Sequence, residues 1–213
     1  MLKINEIFNS IDGEINQWHQ GITTTFIRFS GCNLVPSGCT WCDTNHQTYQ
    51  EYKVNELMKI IQKTAFNKIT ITGGEPLIQS DLKHLIFNLA KHKYLISVET
   101  NGTIKIPIDI LYLANWVMDI KLPSSGCSQY VLDMEYYENL PKNVYFKFCI
   151  ADFKDYEVAV ECARYLYLPG KTIAFSPIIG EDKDWPKTLV MEMVENRLPY
   201  IYNLQIHKFL NVK

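Results

Sequence analysis

Cys32, Cys39 and Cys42 are the densest set of metal-ligating side chains in the chain. Soft thiolates at this spacing select zinc or an iron–sulfur cluster. A structural zinc site takes four ligands, usually as two Cys or His pairs. Here only one CxxC pair exists, with His46 and then His19 as the nearest fourth donors. Three cysteines without an evident fourth suit a [4Fe–4S] cluster that leaves one iron open to an exogenous ligand. The cysteines alone leave both metals open. The remaining three, Cys127, Cys149 and Cys162, lie among apolar neighbours and read as small buried hydrophobes.

A second motif stands one strand and one helix later. Ile69-Thr70-Ile71-Thr72 runs into Gly73-Gly74-Glu75-Pro76. Paired glycines let the backbone approach a ligand closely, and a carboxylate beside them can accept from an ammonium group. By itself this is an ordinary turn after a strand. Following a three-cysteine loop, it resembles the S-adenosylmethionine (SAM) motif of the radical SAM superfamily. That superfamily usually spaces its cysteines Cx3Cx2C, whereas this chain has Cx6Cx2C.

The elements that must position these loops alternate in type. Short runs rich in β-branched and aromatic residues predict strands over 3–8, 24–29, 68–72, 94–99, 116–120, 144–150, 172–176 and 202–206. Val54, Leu57, Met58 and Ile61 repeat at helical spacing, as do Leu82, Leu85, Ile86 and Leu89, the latter with Ser80 as the expected N-cap. Further helices are expected over 152–167 and 185–198. Alternating β and α segments predict an α/β fold with a largely parallel sheet, whose chemistry sits at the carboxyl ends of the strands. The 213 residues fit one domain, 1–213, without repeats or linkers. Hydrophobic residues at 47% exclude disorder, and a formal charge of −2 excludes a dedicated nucleic-acid binder. No apolar run reaches the ~20 residues of a membrane span, and the first residues lack a signal-peptide core. A cytoplasmic protein is expected.

Across its length the chain resembles the 7-carboxy-7-deazaguanine synthase family of radical SAM enzymes. The resemblance rests on Glu6-Ile7-Phe8-Asn9-Ser10-Ile11-Asp12-Gly13-Glu14, Phe26-Ile27-Arg28-Phe29-Ser30-Gly31-Cys32-Asn33-Leu34, Trp41-Cys42-Asp43-Thr44 and Thr72-Gly73-Gly74-Glu75-Pro76. It continues through Val98-Glu99-Thr100-Asn101-Gly102-Thr103, Asp119-Ile120-Lys121-Leu122-Pro123-Ser124-Ser125-Gly126, Phe175-Ser176-Pro177 and Leu204-Gln205-Ile206-His207-Lys208. Asp12 stands where the family pattern has glutamine, and Ile15 where it has a second glycine.

The resemblance implies a shortened, partial TIM-type barrel with a mostly parallel sheet and a reduced helix set. It implies a radical SAM lyase of queuosine and 7-deazapurine biosynthesis, a transfer RNA modification pathway. The reaction would convert 6-carboxy-5,6,7,8-tetrahydropterin to 7-carboxy-7-deazaguanine and ammonia by radical ring contraction. It also implies a [4Fe–4S] cluster on Cys32, Cys39 and Cys42, SAM as a regenerated cofactor, and Mg2+ on Thr44. Substrate contacts carry over to Ile11, Asp12, Gly13, Glu14, Arg28, Thr72, His207 and the Lys213 carboxylate. SAM contacts carry over to Trp41, Gly74, Glu75, Thr100, Asn101, Asp119, Ile120, Lys121, Ser176 and Pro177. Partners implied are a flavodoxin or ferredoxin as electron donor and a second copy in a homodimer, with no nucleic acid or membrane. Without the resemblance, Thr44 reads as a loop hydroxyl, Trp41 as core and His207 as a satisfied histidine in a strand-like stretch. The rival readings are another small radical SAM enzyme, such as a glycyl-radical activase, and a zinc-stabilised binding module.

Overall fold

The computed structural model describes residues 1–35, 38–42, 44–167, 170–180 and 182–212. Its strands are β1 (Leu2–Ile11), β2 (Thr23–Phe29), β3 (Gln50–Tyr52), β4 (Lys68–Gly73), β5 (Leu95–Thr100), β6 (Asn115–Ile120), β7 (Val144–Ile150), β8 (Thr172–Pro177) and β9 (Ile201–Tyr202). The helices are α1 (Val54–Ile61), α2 (Leu82–Lys91), α3 (Ile108–Leu111), α4 (Met134–Glu138), α5 (Phe153–Leu166), α6 (Trp185–Glu195) and α7 (Ile206–Leu210). The described strands form one sheet in the order β3-β1-β2-β4-β5-β6-β7-β8-β9. Pairing is antiparallel between β1 and its neighbours β2 and β3. From β2 to β9 every pairing is parallel. The sheet does not close, so this is an α/β partial barrel, as expected.

Side chains alternate across each strand with period two. One face is apolar: Ile27 and Phe29, Ile69 and Ile71, Ile96 and Val98, Trp116 and Met118, Phe146 and Phe148 join the main core under the helices. Helices α1 and α2 complete that core with Val54, Leu57, Met58 and Ile61, and with Leu82, Leu85, Ile86 and Leu89. The opposite, concave face carries Arg28, Lys68, Thr70, Thr72, Glu99, Asp119, Lys121 and Lys147. An apolar outer face and a polar inner one are what a barrel with a working interior requires.

The segment after β1 crosses that interior. Ile15 is buried against Val117, Ala174 and Tyr145 of β6, β8 and β7, and the Gln17 amide donates to Asn115 Oδ1 at 2.9 Å. Ile15 therefore fills the inside of the open barrel, which accounts for a large residue where the family pattern has glycine.

Two expectations change, and one strand was not foreseen. The Ser80 cap is replaced by Asp81, which makes no side-chain capping bond. The strand expected over 202–206 is only Ile201–Tyr202, because Ile206 begins α7 and places His207 on a helix. Strand β3 was not legible, being short and polar; its pairing with Leu2, Lys3 and Ile4 creates it. Among the described residues no helix is long and apolar enough to cross a membrane.

Phe148 is fully buried and meets Phe175 edge-on at 5.8 Å. Phe148→Ala is expected to lower unfolding free energy by about 3–5 kcal/mol, read from urea denaturation of the metal-free protein.

Candidate active site

Parallel registry brings the two motif loops together. Arg28 pairs with Thr72 and Phe29 with Gly73, so β2 and β4 end side by side. The Gly74 amide then donates to Phe29 O at 2.8 Å and the Glu75 amide to Gly31 O at 2.8 Å. A Cβ on Gly74 would lie 1.8 Å from Gly31 O. Only glycine allows the Gly73-Gly74 backbone to lie this close to the start of the cysteine loop.

One cavity at these strand ends gathers Cys32, Cys39 and Cys42 with Trp41, Thr44, Gly74, Asn101, Asp119 and Lys121. Gly13, Glu14, Arg28, Thr72 and His207 line the same cavity. Seven other expected contacts, Ile11, Asp12, Glu75, Thr100, Ile120, Ser176 and Pro177, do not border it. Lys213 lies outside the described residues. Glu75 is fully buried, and its carboxylate accepts from Leu77 N, Thr100 Oγ1 and Asn101 N at 2.9, 2.9 and 2.7 Å. It ties the ends of β4 and β5 together, leaving the glycine backbone to face the cavity. Ser176 donates to Asn203 O at 2.9 Å, and Ile120 belongs to the apolar core. Asp12 is turned into a buried ion pair with Lys68.

Among the described residues no group of three His, Cys, Asp or Glu side chains stands close enough to hold a metal ion. The donor set nevertheless fits an iron–sulfur cluster. The three thiols share one cavity, and two have a nitrogen beside them: Asn101 Nδ2 at 3.6 Å from Cys32 Sγ and His46 Nε2 at 3.6 Å from Cys42 Sγ. Burial pushes the Cys39 thiol up to about 11, with Lys121 opposing. Burial alone would lower the Lys121 pKa, but Asp119 and the neighbouring thiols outweigh it and raise that pKa. Asp119 Oδ2 accepts from Lys121 at 2.8 Å, while Asp119 Oδ1 is buried without a partner, a ready acceptor for a bound cofactor.

On the other side, Glu14 is held by three donors: Lys147 Nζ at 2.8 Å, Gln205 Nε2 at 2.6 Å and Asn203 Nδ2 at 2.9 Å. Gly13 packs so tightly on His207 that a Cβ would lie 2.0 Å from Nδ1. Arg28 Nε donates to Glu6 Oε1 at 2.9 Å, and Nη1 is 3.5 Å from Thr44 Oγ1.

Sequence reading missed Glu99, Lys147, Cys149 and Gln205 as cavity-lining side chains. The signal was present as charged or polar residues at inward positions of strands, such as Lys147 between Phe146 and Phe148. Cys149 is buried as expected, but it borders the cavity, and burial with Asp119 nearby pushes its thiol up to about 12. Burial works against the Lys147 ammonium, yet Cys149, Glu14, Asp119 and Glu99 around it keep its pKa well above the ordinary value. Burial, then the charges of Glu14 and Asp12, raise Glu99 to about 7 despite Lys147 and a 2.6 Å hydrogen bond from Thr72.

Known proteins resemble both the sequence and the fold. A profile described as the radical SAM superfamily matches residues 26–120. The 7-carboxy-7-deazaguanine synthase of Clostridium acetobutylicum is 32% identical over 98% of this chain and 95% of its own length. The chain belongs to the 7-carboxy-7-deazaguanine synthase family. The family's Methanospirillum hungatei member is 34% identical, covering 99% of this chain and 86% of its own. The solved structure of SuiB from Streptococcus suis bound to S-adenosylmethionine has a TM-score of 0.53 at 10% identity. It covers 77% of this chain and 45% of SuiB, so this chain spans less than half of that structure and the likeness is one of fold. Membership in a radical SAM family implies a [4Fe–4S] cluster and SAM, in agreement with the donor set described above.

Gly74→Ala is expected to destabilise the protein by about 1–3 kcal/mol through overpacking. Gly180→Ala, where a Cβ meets nothing within 4 Å, is expected to stay within about 0.5 kcal/mol in urea denaturation. Because the folded-state pKa of Glu99 is raised, its contribution favours folding at low pH. That contribution is lost as pH rises from the ordinary carboxylate range through about 7. Glu99→Gln is expected to flatten this part of the stability–pH curve; equal slopes for both proteins would contradict the assignment.

Proposed function

We propose that this chain, acting as a single unit over 1–213, is a radical SAM carbon–nitrogen lyase. Its substrate is 6-carboxy-5,6,7,8-tetrahydropterin and its products are 7-carboxy-7-deazaguanine and ammonia, feeding queuosine synthesis. The carrying observation is that the cysteine loop and the Gly73-Gly74 backbone share one cavity with Arg28, Gly13, Glu14 and His207, in a chain whose relatives of that name match it end to end.

When bound, the [4Fe–4S] cluster and SAM supply reductive cleavage of SAM and a reversible hydrogen abstraction from the substrate. Cys32, Cys39 and Cys42 hold the cluster. Trp41, the Gly74 backbone, Asn101, Asp119 and Lys121 bind and orient SAM. Glu75, Thr100 and Ile120 support this wall from behind, through the hydrogen bonds and packing given above.

On the substrate side, Arg28 takes the carboxylate, since guanidinium geometry matches it. Glu6 orients Arg28 through Nε. Thr44, beside Arg28 Nη1, is the residue whose hydroxyl would hold a magnesium ion, which would supply positive charge next to the carboxylate. Glu14 and Glu99 face the amine-bearing pterin edge, where carboxylates accept hydrogen bonds. Gly13 and Thr72 complete this wall, and His207 closes the cavity over Gly13. A flavodoxin or ferredoxin supplies the electron, and two copies form a homodimer.

The test is anaerobic turnover of reconstituted protein with reductant, SAM, magnesium and 6-carboxytetrahydropterin, followed by mass spectrometry. Formation of 7-carboxy-7-deazaguanine over many turnovers per SAM is expected. SAM cleavage without that product would remove the substrate assignment. Arg28→Lys is expected to raise KM for the pterin about tenfold or more, because bidentate carboxylate binding is lost.

A further inference from the structure

Asp12 and Lys68 form the most deeply buried ion pair among the described residues, at 1% and 2% exposure. The pair carries a full set of partners. Asp12 Oδ2 accepts from Lys68 Nζ and from Thr70 Oγ1 at 3.1 Å. Lys68 Nζ also donates to Thr70 Oγ1 at 2.9 Å, and Thr70 meets Thr24 Oγ1 at 3.0 Å. The Trp18 ring lies over the ammonium at 5.8 Å. Neither side chain borders the cavity. Asp12 Oδ1, however, accepts from the Glu14 amide at 3.0 Å, and the Asp12 backbone is closed on Ile22 O and Gly21 N at 2.8 and 2.7 Å.

The corner Asp12-Gly13-Glu14 is thus fixed at two depths of the barrel. Lys68 at the start of β4 holds Asp12, and Lys147 in the middle of β7 holds Glu14. Between them, Gly13 stands against the His207 ring with no room for a Cβ. Even a small slip of this corner would collide with His207 or pull Glu14 from its three donors.

We propose that Asp12, buried on Lys68, is a positioning residue for the substrate wall, acting through the hydrogen bond that its Oδ1 accepts from the Glu14 amide. It sets Gly13 and Glu14 in register with His207, so that a residue outside the cavity governs pterin affinity. This deepens the functional reading above and rests on it. In the family pattern a glutamine at this position offers an amide. Here the carboxylate faces inward, and Lys68 neutralises its charge.

Two double variants separate positioning from simple stability. Asp12→Leu with Lys68→Met replaces a buried pair by apolar side chains, a change that folded proteins often tolerate; it removes the acceptor for the Glu14 amide. Asp12→Asn with Lys68→Met also removes both charges but keeps that acceptor. The leucine variant is expected to raise KM for 6-carboxytetrahydropterin about tenfold to hundredfold. SAM binding and SAM cleavage without pterin should remain within about twofold of wild type. The asparagine variant should return KM to within a few-fold of wild type. Asp12→Val with Lys68→Met repeats the first arm if leucine does not fold.

A wild-type KM in the apolar variant, no rescue by asparagine, or parallel loss of SAM cleavage and pterin turnover would each overturn the inference. Wild-type protein that binds no pterin would overturn the functional reading, and this inference with it.

Discussion

An ion removed from water without a counterion costs several kcal/mol, and this constraint organises the concave face of the sheet. Lys68, Lys121 and Lys147 stand there with Asp12, Glu14, Glu99 and Asp119. Each lysine is paired: Lys68 with Asp12, Lys121 with Asp119, Lys147 with Glu14. The carboxylate left over is Glu99, which takes its hydrogen bond from Thr72 and titrates near 7. Its high pKa follows first from burial and then from the charges of Glu14 and Asp12 nearby.

Strand registry then converts this lined interior into a site. Parallel pairing aligns the carboxyl ends of β2, β4 and β5, so the cysteine loop, the Gly73-Gly74 turn and Asn101 emerge at one level. The Glu75 carboxylate, buried behind them, fastens two of those ends. The cysteine and glycine side of the cavity is therefore placed by backbone geometry and one buried acid. The opposite side is placed by the crossing segment after β1 and by the residues that follow β9. Gln20 joins these two by donating to Gly13 O at 2.6 Å and Asn203 Oδ1 at 3.1 Å.

The division also explains what could be read in advance. The identities of β1, β2 and β4 to β8, the two amphipathic helices and the three-cysteine and Gly-Gly motifs depend on neighbours within about ten residues. All were legible. Strand β3 and the α7 placement of His207 were not, because neither has a local pattern strong enough to declare itself. Expecting Asp12 and Glu75 at the cavity was reasonable for polar residues in loops beside a site. Both are instead buried acids that accept hydrogen bonds from main-chain amides, Glu75 from Leu77 and Asn101 and Asp12 from Glu14.

The sequence alone determined an α/β chain with a parallel sheet, a three-thiolate loop and a glycine turn beside it, since periodicity and motif spacing are local properties. Only the tertiary structure decided which charges share the barrel interior. Asp12 meets Lys68 across 56 positions, Glu14 meets Lys147 across 133, and Gln205 reaches Glu14 across 191. Such partners are chosen by the common need to neutralise charge in a space that the folded sheet creates, and no local pattern in the chain encodes that space.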